Sequence, residues 1–294
     1  RYLLDRSGKP YLIVGDSPHS ILVNLSTKDA ETYLATRQAQ GFNAIWVDLL
    51  SAPDTGGRGN LATYDGFAPF TRANDLGRPA SSYFRRVDAI LRLAANHGIT
   101  VFLTPVETGG LLPLLRANGV TKAYRFGQWL GRRYRSFTNI VWLHGNDFQT
   151  WRDPADDAVV LAVARGIRST APSHLQTVEL DYELSGSIDD PTWAGVIALD
   201  AAYTYRPTYA RVLADYHAQS RLPVFMVEAN YEDEHYYRSP LTLRRQEWWT
   251  MLSGGAGQFY GHGLVNGGGM KEKGVDAQGR PTESLRPSFL VRVP

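Results

Sequence analysis

The chain has no cysteine among its 294 residues. That excludes a disulfide framework, a thiolate nucleophile and a cysteine-ligated metal. It also has little net charge: 31 Lys+Arg stand against 29 Asp+Glu, so there is no general electrostatic case for nucleic acid. No apolar run approaches the roughly 18 residues of a membrane span. The opening RYLLDRSGKPYLIVGDS already resembles folded protein, so any export signal is expected to have been removed before this numbering begins. Several motifs are missing as well. There is no GxGxxG after the first apolar run, no GxxxxGK[ST], no GxSxG elbow and no HExxH. Dinucleotide, nucleotide-phosphate, serine-hydrolase and zincin chemistry therefore lack a signature, and neither a cofactor nor a metal is expected.

What is present is an ordinary globular composition, 43% hydrophobic with 28 glycines and 16 prolines. It suits one large α/β domain over residues 1–294. Short apolar runs predict strands at 11–15, 43–49, 99–104, 139–143, 174–180, 196–199, 223–227 and 258–260. Between them, 3.6-residue periodicity and capping residues predict helices at 27–40, 81–96, 122–134, 156–169, 208–218 and 243–252. Ser26 or Thr27 and Asp153 are the candidate caps. Eight apolar strands with intervening helices predict a closed (β/α)8 TIM barrel, with an atypical or incomplete C-terminal closure because the chain after Tyr260 is polar and glycine-rich. Residues 50–80 form a connection too long for a compact unit, and are expected to build part of a site wall.

In such a barrel the carboxyl ends of the strands share one mouth. Polar residues collect there: Asp16, His19, Asp48, Glu107, His144, Asn146, Asp147, Glu179, Tyr203, Tyr205, Glu228, Asn230 and His262. Asp147 and Glu228 are the sharpest pair. Cleavage of a glycosidic bond needs one carboxyl group to protonate the leaving oxygen and a second carboxylate to attack the anomeric carbon or activate water. Glu228 follows the rigid PVFMV, with Asn230 and Tyr231 near enough to donate to it, and is the candidate nucleophile. Asp147 lies beside Trp142, His144 and Phe148, surroundings that raise proton affinity, and is the candidate acid/base. The other eleven are candidate sugar contacts whose direction the strand-end rule leaves open. Any one acid taken alone is more often a cap or an ion-pair partner; their clustering is the signal.

The 16 tyrosines, 11 phenylalanines and 7 tryptophans offer flat surfaces for sugar C–H faces. Trp46, Tyr64, Phe67, Phe148, Trp151, Tyr203, Tyr205, Tyr231, Phe259 and Tyr260 fall beside the expected mouth, whereas Trp248 and Trp249 are expected to pack.

The segments YLLDRSGKPYLIVGDSPH, AQGFNAIWVDLL, NIVWLHGNDFQTW, LPVFMVEANYE and MLSGGAGQFYGH resemble those of bacterial apiosidase-like glycoside hydrolases, from about Tyr2 to His262. The resemblance implies a (β/α)8 barrel, an exported enzyme working in the periplasm or outside the cell, and cleavage of a glycosidic bond in a plant-type polysaccharide. The family's acid/base aspartate maps onto Asp147 in GND and its nucleophilic glutamate onto Glu228 in VEANY. Pro18 and His19 after the first-strand GD, Glu107 in PVETGG and Glu179 in VELDY depart from the family pattern, which widens the expected substrates to other terminal plant glycosides, furanosides among them. The expectation is a retaining glycosidase with a carbohydrate substrate. A carbohydrate-binding barrel without turnover and a cation-dependent lyase are the alternatives, and oligomeric state stays open.

Overall fold

A short antiparallel hairpin, β1 (Leu3–Leu4) with β2 (Pro10–Tyr11), leads into the main sheet. The structure is a computed structural model and describes residues 1–5, 7–150, 152–232 and 239–262. Eight parallel strands follow: β3 (Ile13–Asp16), β4 (Ala44–Asp48), β5 (Thr100–Thr104), β6 (Ile140–Gly145), β7 (Gln176–Glu179), β9 (Asp200–Thr204), β10 (Val224–Glu228) and β11 (Gly257–Tyr260). A two-residue strand, β8 (Leu184–Ser185), pairs antiparallel with β9. The order is β7-β6-β5-β4-β3-β11-β10-β9-β8, a TIM barrel in which the last long strand, β11, pairs with the first, β3.

Between β7 and β9 the barrel is closed without a regular ladder. Ala198 N–H donates to Gln176 O at 2.8 Å, and Thr177 Oγ1 donates to Leu199 O at 2.9 Å. Ser187 Oγ donates to Val178 O at 2.5 Å and accepts from Ala201 N–H at 2.8 Å. A buried hydroxyl thus supplies the donor and acceptor that an adjacent strand would otherwise provide.

Strand alternation sorts the side chains into two layers. Ile13, Ala44, Trp46, Phe102, Val141, Leu143, Ala201, Tyr203, Phe225, Val227 and Phe259 fill the barrel. Ile45, Val47, Val101, Leu103, Trp142 and Val178 face the surrounding helices. Those helices are α1 (Ile21–Asn24), α2 (Thr27–Ala39), α3 (Ser81–Asn96), α4 (Thr108–Tyr134), α5 (Pro154–Thr170), α6 (Thr208–His217) and α7 (Pro240–Leu252). On α3 the predicted stripe Phe84, Val87, Leu91 and Ala94 is buried; each of its larger side chains stabilises by about 1.5–3 kcal/mol. Ser26 caps α2 and Asp153 caps α5 through side-chain acceptors.

Three expectations need correction. The sixth barrel strand is Asp200–Thr204, not 196–199. Val196, Ile197 and Leu199 are apolar because a turn beneath Trp193 is buried, while the real strand, DAAYT, carries small residues where the interior is crowded. The third predicted helix begins at Thr108, and the element breaks at Gly119, whose φ of 69° only glycine adopts freely; the predicted 122–134 is its second half. Trp248 does not pack: it is 65% exposed, whereas Trp249 meets Tyr209 edge-on.

The 50–80 connection has no long element, only a bridge between Phe70 and Pro79. It is tied to the barrel by Arg58 on Asn24, Tyr64 N–H on Val23 O and Asn118 on Asn74 O. The expectation about closure after Tyr260 falls mostly on residues outside those described. Among the described residues no helix is long and apolar enough to cross a membrane.

Candidate active site

Glu228 ends β10. Strict alternation after Phe225 and Val227, which point into the barrel, would turn it outward. A register shift between Met226 and Glu228 against β9 re-aims it into the mouth; one extra residue in a strand does this by breaking the two-residue period. There its two oxygens are held by three phenols. Tyr203 and Tyr205 donate to Oε1, each at 2.7 Å, and Tyr231 donates to Oε2 at 2.6 Å. Burial pushes the Glu228 carboxyl upward and Asp147 adds to this, while the three phenols favour its charged form.

Asp147 follows β6 on a turn in which Gly145, Asn146 and Asp147 have φ of 93°, 87° and 51°. Three successive residues in the left-handed region are unusual, and Asn and Asp are among the side chains that tolerate it best. A Cβ at Gly145 would strike the carbonyl of Glu179. The turn brings Asp147 Oδ1 to 3.0 Å from the Tyr203 hydroxyl, the same oxygen that bonds Glu228. Asp147 is exposed at the mouth, but the protein around its carboxyl strips away part of its hydration and raises its proton affinity, against the Tyr203 contact and nearby His19. The Tyr203 hydroxyl has one proton; with it directed to Glu228, three phenols donate to Glu228 and none to Asp147, so the proton that the pair shares belongs on Asp147, which donates it to the Tyr203 oxygen.

Around this pair sit further acids. Glu179, inward on β7 and fully buried, accepts the Asp147 N–H through Oε2 at 3.3 Å. Asp48, at the inward end of β4, lies 3.7 Å from His19 Nδ1, and the His19 ring lies over Trp46 at 4.3 Å. Burial pushes Asp48 upward. Glu107 caps α4, accepting from Gly110 N–H at 2.9 Å; burial, Asp48 and Asp54 push it well above the ordinary range. Asn230 secures the wall: its Nδ2 donates to Tyr205 O at 2.9 Å, and its N–H donates to Gln246 Oε1. Asn146 is buried, with its Oδ1 near Gly109 at the start of α4. Among the described residues no group of three or more His, Asp or Glu is arranged to hold a metal ion.

The strand-end rule gathered two residues that the fold turns away. Asp16 follows Gly15, which faces the interior, and so points outward to α2. Its Oδ2 accepts from Arg37 Nε at 2.5 Å and from the Tyr33 hydroxyl, and its Oδ1 accepts from Ser17 N–H. It is a fully buried, ion-paired anchor that faces α2 rather than the mouth. His144 shares the outward parity of Trp142, contacts Gln176 at 2.8 Å and lies against Trp193. Burial lowers its pKa to about 4, so it is a neutral packing residue. His262 lies farther round the rim, bridged to Glu232.

The aromatic wall is also thinner than the composition predicts. Trp46, Phe148 and Phe259 are core residues, Tyr260 turns outward to Glu232, Tyr64 and Phe67 are exposed, and Trp151 lies outside the described residues. One acid was missed. Asp54, within the long connection, reaches Gly109 and Gly110 beside Glu107; no strand end marks it, and only the length of its loop pointed there.

Comparisons with known proteins bear on the family and the fold. The family model for the apiosidase-like catalytic domain matches residues 1–277. A family 5 glycoside hydrolase from Bacteroides vulgatus superposes with a TM-score of 0.77 at 22% identity, over 91% of this chain and 62% of that one. A second structure, described as a glycoside hydrolase, gives 0.79 at 20% identity over 98% and 69%. An endo-1,4-beta-D-mannanase from Thermotoga petrophila gives 0.60 at 14% over 93% of each chain. The chain thus spans about three-fifths of the Bacteroides protein's length. Among curated proteins, none matches by sequence. With a family match over nearly the whole chain, the protein belongs to the apiosidase-like catalytic domain family and shares its barrel fold with glycoside hydrolases.

Proposed function

We propose that the protein is a retaining glycosidase that removes a terminal sugar from a plant-type oligo- or polysaccharide, with Asp147 as acid/base and Glu228 as nucleophile. One observation carries this reading: a single phenolic oxygen, that of Tyr203, touches both carboxyl groups, at 3.0 and 2.7 Å. Two carboxyl groups bridged by one hydroxyl support the roughly 5–5.5 Å spacing of retaining pairs over the about 6.5–9.5 Å of inverting pairs.

In the first step Asp147 gives its proton to the glycosidic oxygen as that C–O bond breaks. Glu228 attacks the anomeric carbon and forms a glycosyl ester. Water then attacks the same carbon, its proton passes to Asp147, and the ester bond breaks to restore the Glu228 carboxylate. A phenol has one proton to donate. With the shared proton on Asp147, Asp147 donates to the Tyr203 oxygen and Tyr203 donates to Glu228, so every bond in the chain is satisfied.

The family name supports a furanoside among the candidate substrates, and the structural neighbours support plant-type glycans; an exported, periplasmic or extracellular setting belongs to the same proposal. The test is a screen of plant oligosaccharides and aryl furanosides or pyranosides with wild type, Asp147→Asn and Glu228→Gln, with the product anomer followed by NMR. Wild type is expected to release product of retained configuration, and each variant to lose at least about 10²-fold in turnover. Unchanged cleavage in both variants excludes the assignment, and first-formed product of inverted configuration excludes the retaining step.

A further inference from the structure

Glu179 is a third carboxyl group between the two catalytic ones, and the reaction as written gives it no task. We propose that Glu179 is the positioning residue for the acid/base: as an uncharged carboxylic acid it fastens the Asp147 backbone and so aims the Asp147 side chain. The inference rests on the assignment of Asp147 above.

Two observations on the geometry carry it. The first is the turn. Gly145 pairs with Glu179 across β6 and β7, and Gly145, Asn146 and Asp147 itself are all left-handed. Such backbone is strained at each non-glycine position and persists only where surrounding groups enforce it. Three side chains hold this one: Thr108 Oγ1 donates to Asn146 O at 2.8 Å, Thr150 Oγ1 donates to Asp147 O at 2.9 Å, and Glu179 Oε2 accepts the Asp147 N–H, the only one of the three bonds to a backbone donor.

The second is the enclosure of Glu179. It is fully buried, and its Oε1 has no hydrogen-bond partner. The groups that face it are Glu228 on β10, Asp147 after β6 and Asp48 on β4, with the phenols of Tyr203 and Tyr231 beside them. A buried carboxylate among like charges neutralises itself by taking up a proton. Burial first, then Glu228 and Asp147, push Glu179 well above the ordinary carboxylate range. Neutrality suits the task. A carbonyl oxygen accepts the Asp147 N–H whether or not the group is charged, whereas a third negative charge would oppose ionisation of Glu228.

Glutamine has the shape and neutrality of this acid; leucine has neither donor nor acceptor. Glu179→Gln is expected to keep kcat within about twofold, with both limbs of the kcat/KM pH profile in place, while Glu179→Leu loses about 10–100-fold in kcat with little change in KM, as a misplaced catalytic group does. Infrared spectra at neutral pH are expected to contain a protonated-carboxyl band in wild type that is missing from Glu179→Gln. A loss of kcat in the glutamine variant as large as in the leucine variant overturns the proposal. So does an acidward shift of both limbs in Glu179→Gln, the mark of a removed negative charge, or the lack of the infrared band. The infrared measurement needs no turnover, so an inactive wild type would sink the glycosidase assignment while still reporting the state of Glu179.

Discussion

Tyr231 donates its phenolic hydrogen to Glu228 Oε2 at 2.6 Å, three residues along the same loop. Its ring fills the space where a side chain at Gly261 would stand, so β11 and the loop after β10 fit together only through that glycine. Hydrogen bonds to a charged acceptor contribute about 1.5–3 kcal/mol, and this one favours the ionised nucleophile. Removing it raises the Glu228 pKa. Since activity requires ionised Glu228, Tyr231→Phe is expected to move the acid limb of the kcat/KM profile upward by about 1–2 pH units, losing activity first at low pH. An acid limb that stays in place would count against Glu228 as the charged partner of this phenol.

Asp16 and Arg37 form a buried ion pair behind the mouth, 2.5 Å apart. Taking away the arginine leaves a fully buried carboxylate with only Tyr33 and a backbone donor. Arg37→Met is expected to destabilise the fold by about 3–5 kcal/mol in urea denaturation. At a temperature where the variant is folded, kcat/KM should match wild type, because Asp16 faces α2 rather than substrate. A variant of normal stability with impaired turnover would return Asp16 to the sugar contacts.

Asp200 lies under the closure between β7 and β9, buried and close to Asp215, and is pushed up to about 7, mainly by burial and then by Asp215, with Arg211 opposing. The unfolded chain gives up this proton near 3.8. The folded protein holds it longer, so stability is greatest below the unfolded value and declines as pH rises toward about 7. Asp200→Asn is expected to gain roughly 1–3 kcal/mol at pH 8 and nothing at pH 4. Thermal melts at the two pH values check the sign: an equal gain at both would mean that the charge is not the cause.

Much of the architecture was legible in the order of residues. The apolar runs marked seven of the eight barrel strands, and the stripe on α3 and the caps of α2 and α5 lie where periodicity and capping chemistry put them. Local rules suffice there, because a strand or a helix face is decided by residues a few positions apart. They failed at 196–199, where burial of a turn imitates a strand, and at α4, whose first half carries Pro113 within the helix and ends at Gly119.

The site divides differently. That Asp147 and Glu228 stand at the ends of apolar strands, with Tyr231 close after the second, follows from the sequence alone. Which strand-end residues share the cleft was decided by the tertiary structure. Parity along β3 and β6 sends Asp16 and His144 to the helices, and the bulge in β10 reverses parity to bring Glu228 inward. Asp54 arrives from a loop that has no periodicity to read. The physical reason is one of range: alternation and capping are fixed by neighbours in the chain, whereas the direction of a side chain at a strand end depends on the register of the strand beside it.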